Sequence, residues 1–250
     1  MNTAMGADFL VRWPDLESLQ NVKPEVVRSF FYKHNSRSAK KTEERLAAIA
    51  KAKALTTDAA IIVPARHLVL ALAGMLRPLH QAVARLDKAI QQAMDQHPDA
   101  PIFQSFPGAG PALAPRLLVA FGTNRERFDK SADVAEFYGV APVVVQSGNS
   151  KIVHVRYRCP KFGRQTFHEN AGCALKKEPW AKCYYDQQKE RNNGRHHQAC
   201  RALAYKLVRI YFACWKQRKP YESNRYLNAL EKHASPLHRK LENLTATHCE

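Results

Sequence analysis

At 250 residues and 28.3 kDa, with 45% hydrophobic side chains and a formal charge of +17, the chain has the size of one large domain or of a domain with an extension. This composition excludes wholesale disorder. A mean hydropathy of −0.45, with a charge inside every apolar run of about 18 residues, argues against a membrane span, and residues 1–10 lack the basic start and apolar run of a signal peptide.

Residues 9–55 predict helices with breaks. Trp13-Pro14-Asp15 marks a helix start, Lys23-Pro24 and His34 to Ser38 mark turns, and Glu43 to Lys53 is rich in helix formers. Residues 58–96 carry the clearest periodicity. Val69, Leu72, Leu76, Leu79, Val83, Leu86, Ile90 and Ala93 alternate steps of three and four, the spacing of a coiled-coil seam. Asp58 is placed to cap the start, Pro64 is tolerable near it, and Pro78 is expected to kink or interrupt the helix. The seam predicts an antiparallel or dimeric helical arm, with a long helix packed on its own domain as the alternative. His97 to Pro101 marks the best domain boundary.

Residues 102–122 place an apolar turn and Pro107-Gly108-Ala109-Gly110 ahead of a helix, the pattern of a helix-hairpin-helix or of a tight turn between two helices. In the first case Gly108 and Gly110 let backbone approach a partner closely, and amides at the helix start can face a phosphate. Residues 131–142 predict a capped helix ending at Gly139. Val143 to Gln146, a turn at Ser147-Gly148-Asn149-Ser150, and the alternating run Lys151 to Arg158 predict a β-hairpin with one basic face. Residues 164–190 and 195–219 predict two helices, the second with a core stripe at Ala199, Leu203, Leu207, Ile210 and Cys214, and with Arg201, Lys206, Arg209 and Lys216 off that stripe. The fold class expected is mainly α, with a small β-hairpin.

Charge and chemistry concentrate in the second half. Residues 151–219 hold 17 basic and 4 acidic side chains, whereas residues 1–150 hold 18 and 14. Such a field suits a polyanion, most often nucleic acid, or serves as a solubilising surface; interleaved aromatics favour the former. The six cysteines lack C-x-x-C spacing and are read as reduced thiols of a cytosolic protein rather than zinc ligands. Ser147, at an exposed turn beside Gly148 and ahead of Arg156 and Arg158, is a candidate nucleophile toward a phosphate, although most Ser-Gly turns are only turns. No Walker loop, dinucleotide fingerprint or close carboxylate pair suited to magnesium is visible.

Several strings together resemble one family. They are Phe106-Pro107-Gly108-Ala109-Gly110-Pro111, Gly139-Val140-Ala141-Pro142 leading to Gln146-Ser147-Gly148, Cys159 to Glu169, Trp180-Ala181 with Tyr184-Tyr185, and Arg201 to Lys206. From about Phe9 to Leu230 the chain resembles the insertion-sequence transposases of the one-hundred-and-ten family, whose better-studied members are RNA-guided serine recombinases. The resemblance implies that Ser147 attacks a DNA phosphodiester and holds one strand end as phosphoserine, and that the released hydroxyl later reseals the strand. It implies DNA as partner, with a guide RNA beside it, and DNA recombination in a cytoplasmic, nucleoid-associated setting without membrane. The residues expected at nucleic acid are Gly108, Gly110, Lys151, Arg156, Arg158, Lys161, Arg164, Arg201 and Lys206. The family begins with a nuclease-like α/β domain whose four acidic residues hold magnesium. Residues 1–57 do not resemble it, so no cofactor is expected on this chain and magnesium only with that domain. The expected organisation is a helical connector at 1–57, a coiled-coil arm at 58–100 joining subunits into a homo-oligomer, a serine-containing transposase domain at 101–230 and a tail at 231–250. The alternative is a catalytically inactive, truncated remnant that binds nucleic acid and oligomerises. Gly163 stands where the family often carries a larger apolar residue, which predicts looser local packing.

Overall fold

The computed structural model describes residues 4–246, with the side chains of Lys151 and of residues 243–246 excepted. The fold is mainly α, as expected, with a single two-stranded antiparallel sheet among the described residues. The chain divides into two compact units, Met1–Lys88 and Ala89–Glu250.

The first unit opens with short helices α1 (Ala4–Arg12), α2 (Leu16–Gln20), α3 (Pro24–Lys33) and α4 (Ala39–Lys51). Each start follows from local chemistry. Asp15 caps α2 by accepting the Ser18 amide at 2.7 Å, Pro24 occupies the first turn of α3, and Ser38 caps α4. Trp13, Leu19, Val27, Phe30 and Phe31 form their shared core, with Phe9 packed edge-on to Trp13 and Phe30.

Helix α5 (Ala59–Asp95) begins where Asp58 accepts the Ala60 amide at 2.8 Å. It runs unbroken through Pro78, contrary to the expected interruption. The amide that proline lacks would have bonded the carbonyl of Gly74, which sits in open space where water can reach the backbone. Along the predicted seam, Leu72, Leu79, Val83, Leu86 and Ile90 stand exposed, Leu79 and Leu86 at 60% and 62%. Val69 and Leu76 of the same seam are half-buried.

The exclusion of a membrane span also needs correction. By length and composition α5 is apolar enough to cross a membrane, since residues 59–76 hold one charged side chain, Arg66, and a single charge does not disqualify a span. Arg66 forms an ion pair with Asp15 at 2.7 Å within the first unit, and Arg77 pairs with Asp8 there. From Arg77 onward the helix is amphipathic, with Gln81, Arg85, Lys88 and Gln92 between the apolar positions.

The second unit contains α6 (Ala100–Gln104), α7 (Leu113–Phe121), α8 (Ser131–Phe137), strands β1 (Val143–Ser147) and β2 (Ser150–His154), then α9 (Lys161–Ala174), α10 (Pro179–Arg191), α11 (His196–Gln217), α12 (Ser223–Lys232) and α13 (Pro236–Ala246). The predicted helix 164–190 is two helices. Pro179 starts α10 at its first turn and disfavours helical backbone at Glu178, so the chain turns at 175–178.

Helix α11 is the axis of this core. Its buried face is Ala199, Cys200, Leu203, Ala204, Leu207, Val208, Tyr211 and Trp215. The predicted stripe holds at Ala199, Leu203 and Leu207, then shifts, leaving Ile210 and Cys214 half-buried while Tyr211 and Trp215 go inside. Trp215 packs against Phe121, Phe128 and Phe212 and donates its indole N–H to the Gly122 carbonyl at 2.8 Å.

Packing around Gly163 is tight rather than loose. A Cβ added there would lie 2.2 Å from the ring of Tyr138, which fills the space. Tyr138 cannot swing away freely, because its buried hydroxyl donates to the Ala120 carbonyl at 2.7 Å. Gly163→Ala is therefore expected to destabilise the unit by about 1–3 kcal/mol, read as a lower urea midpoint at unchanged slope. An unchanged midpoint would contradict this packing.

Candidate functional site

The turn between α6 and α7 is fixed from below. Asn170 of α9, fully buried, donates to the Pro107 carbonyl at 3.1 Å and accepts the Tyr211 hydroxyl at 2.7 Å. Phe106 stacks on Tyr211 with ring centroids 3.8 Å apart. Gly108 has φ +74°, and a Cβ there would lie 2.6 Å from the Cβ of Cys173. The close approach that glycine permits at 108 is thus to α9 of the same chain. Gly110 is exposed, but its amide donates to the Gly108 carbonyl at 3.0 Å and is not directed outward.

Ser147 lies at the tip of the hairpin. The register pairs Val143 with His154, Val145 with Ile152 and Ser147 with Ser150, leaving Gly148-Asn149 as a two-residue turn. Gly148 has φ +55° in open space, which suits a tight turn with glycine at its first central position. The serine is exposed. Strand β2 ends at His154, so Arg156 and Arg158 follow the strand instead of lining a basic face along it. A five-residue strand places Ser147 about 13 Å from the hairpin base. Both faces of the hairpin are open and apolar: Val144, Val145, Ile152 and Val153 are each about half exposed. Lys151 pairs with Gln146 through its backbone, and its side chain lies outside the described residues.

Beyond the hairpin base the structure gathers several of the predicted basic residues. Arg156 is half-buried, faces Glu136 at 3.5 Å, and its carbonyl accepts a guanidinium hydrogen bond from Arg164 at 3.2 Å. Arg164 is on α9, one turn from exposed Lys161 and one turn before His168. Arg201 projects from α11, which packs on α9. Burial depresses the Arg201 guanidinium, and Arg164 adds to the depression. His168 is pushed down to about 4, first by burial and then by Arg201, Arg164 and His197. The adjacent carboxylate, Glu169, does not offset these charges: it is taken by Gln165 at 2.6 Å and by Arg116 at 2.5 Å. Arg158 and Lys161 are exposed beside this surface.

Lys206 sits apart. Its amine lies 4.7 Å from the ring centre of Tyr184 and 5.9 Å from that of Tyr226, and burial lowers its pKa. It lines a cavity of about 750 Å³ with Arg209, Tyr221, Arg225 and Tyr226. The five described cysteines are free thiols, and burial pushes Cys214 up to about 11, which makes it a poor nucleophile at neutral pH. Among the described residues no group of three or more His, Cys, Asp or Glu side chains is placed to hold a metal.

Sequence reading missed His168, although it stands four residues after Arg164 and so on the same helix face. It also missed Asn170, whose role depends on two carbonyl and hydroxyl partners distant in sequence.

Residues 100–186 match the Transposase IS116/IS110/IS902 family. The matched region runs from α6 into α10 and includes the 105–112 turn, the Ser147 hairpin and all of α9. Among proteins similar to the chain are the "Mini-circle putative transposase for IS117" of Streptomyces coelicolor, 30% identical over 64% of this chain and 38% of that protein, and an insertion element IS110 protein of 43.6 kDa from the same organism, 30% identical over 61% and 37%. An insertion element IS900 protein of 42 kDa from Mycobacterium paratuberculosis is 28% identical over 64% and 41%. The match thus spans about two fifths of the length of these relatives. The matched region contains Arg156, Arg164 and His168, and Arg201 lies outside it on α11, which packs on α9.

Proposed function

We propose that the chain acts in transposition of an insertion sequence, binding DNA through the α9–α11 surface and presenting Ser147 as the nucleophile of strand exchange. The observation that carries this reading is the placement of Ser147: an exposed serine at a glycine-supported hairpin tip, inside the region that matches a transposase family. In the proposed step the Ser147 oxygen loses its proton and forms a bond to phosphorus. The bond from phosphorus to one bridging oxygen breaks, and that oxygen leaves as a hydroxyl on the released strand. Reversal with a hydroxyl from another strand reseals the DNA and frees the serine. A guide RNA and a cytoplasmic, nucleoid-associated setting belong to the same reading.

A second reading is favoured by a specific observation: the cationic cluster and the exposed α5 stripe are built on helices and do not involve Ser147. A protein that binds nucleic acid and oligomerises without chemistry would need only these. Ser147→Ala separates the two. Strand exchange is lost in the first, and nothing changes in the second.

Self-association through α5 is part of both readings, with a second copy of this chain as occupant, because the apolar positions from Val69 to Ala93 keep alternating steps of three and four over more than three heptads. Leu79→Glu places a charge in the middle of that stripe. It is expected to weaken self-association more than tenfold in sedimentation velocity; an unchanged distribution would place the contact elsewhere.

A further inference from the structure

Two features of the α9–α11 surface point to a specific ligand group. The first is a cluster of basic side chains in which no carboxylate bears on His168. Arg164 and His168 occupy successive turns of α9, Arg201 and His197 occupy successive turns of α11, and the two helices pack on one another. The carboxylate nearest in sequence, Glu169, is already bonded to Gln165 and to Arg116 of α7. The second is a pair of unsatisfied polar atoms. Nε2 of His168 and Nε of Arg201 are buried from solvent and make no hydrogen bond to any described residue. Buried polar groups without partners are costly, and cations gathered around them add repulsion. An anion bearing several acceptor oxygens relieves both at once.

We propose that Arg164, His168 and Arg201 form a receptor for one backbone phosphate of DNA, and that His168 takes up a proton as the phosphate is bound. The inference rests on the DNA-binding reading above and adds to it a residue and a coupling. Without ligand, burial first and the neighbouring guanidiniums second hold the imidazole neutral, with a pKa of about 4. A phosphate between the three side chains cancels that repulsion and stabilises the imidazolium. The charged and titratable groups that bear on His168 are Arg164 on its own helix and Arg201 and His197 on α11; Arg116 of α7 is paired with Glu169. Linkage sets the sign. The proton is absent in free protein above about pH 4 and present in the complex up to the higher pKa of the bound state. DNA affinity therefore falls as pH rises between those two values, by at most about tenfold per pH unit for one proton.

The test is a proton NMR titration of the His168 ring in the full chain, free, with saturating short duplex DNA, and with inorganic phosphate. The receptor predicts a His168 pKa raised by at least about one unit in the DNA complex, and a smaller rise with phosphate alone. In the free protein, Arg201→Gln should raise the His168 pKa by removing a repulsive charge, with the dispersion of the same spectrum reporting an intact fold. His168→Gln should flatten the pH dependence of DNA affinity over this window while binding persists. DNA bound with the His168 titration unmoved would overturn the receptor and leave the DNA-binding reading standing. Absence of DNA binding altogether would overturn both.

Discussion

Ser147→Ala is expected to abolish strand exchange, by about 10⁴-fold or more, and to leave DNA affinity within about twofold of wild type. The size of the first effect follows from the chemistry. Alanine has no oxygen to form the bond to phosphorus, so no part of the covalent route survives. The small size of the second follows from the structure. The Ser147 side chain is exposed at a hairpin tip, and about four strand residues separate it from the hairpin base near which Arg156 and Arg164 stand. Removing the hydroxyl therefore leaves both the turn and the cationic surface in place. Strand transfer measured on a labelled junction, alongside salt-matched DNA binding, checks both halves. Retained strand transfer would remove Ser147 from the chemistry, and lost binding would mean that the hairpin tip is part of the DNA grip.

The largest stability effect is expected at Trp215→Ala, at about 3–5 kcal/mol. Trp215 is fully buried at the end of α11 and packs against Phe121 and Phe128 from two other segments and Phe212 of its own helix. Its indole N–H closes the end of α7 by bonding the carbonyl of Gly122, which caps that helix at φ +73°. The Arg125 guanidinium lies 4.8 Å from the ring centre and bonds Asp99 at 2.7 Å, so the indole also supports a half-buried ion pair. Truncation removes the ring, opens a cavity and leaves the Gly122 carbonyl without its donor. Against a typical total of about 5–15 kcal/mol this is a large fraction. Urea unfolding followed by far-ultraviolet circular dichroism gives the value. A loss below about 1.5 kcal/mol would mean that the surrounding aromatics collapse into the space.

Much of the local structure was legible from residues close in sequence. Asp58 announces the start of α5, and the valine run with Ser147-Gly148-Asn149-Ser150 places the hairpin and its turn, although the second strand ends at His154 rather than running to Arg158. Pro179 would have divided the predicted helix 164–190 had it been weighed above the helix-forming residues on either side. Features set by distant partners were not legible. The seam of α5 has the spacing of a coiled coil, yet spacing cannot say whether the occupant belongs to the same chain. Gly163 looked like a packing defect because Tyr138, which fills its space, comes from α8 and the turn after it. Gly108 looked like a nucleic-acid contact because a glycine in a turn does not reveal which backbone approaches it; here it is α9.

The site divides in the same way. Ser147 and the basic residues were nominated one by one from type and exposure, and the family resemblance joined them into one function. The structure separates them by the length of the hairpin and groups Arg156, Arg164 and Arg201 with His168 instead. No spacing rule brings α9 and α11 together at those positions. Their alignment is set by the core beneath, where Asn170 meets Tyr211 and Phe106 stacks on the same ring.

Covalent trapping tests the central claim most directly. The purified chain is incubated with a labelled DNA junction and magnesium, with and without the family's nuclease-like domain and guide RNA supplied in trans, and resolved on a denaturing gel. A DNA adduct is expected on this chain, mapped to Ser147 by mass spectrometry and absent from Ser147→Ala. DNA binding without an adduct under every condition, or an adduct that survives Ser147→Ala, would contradict it.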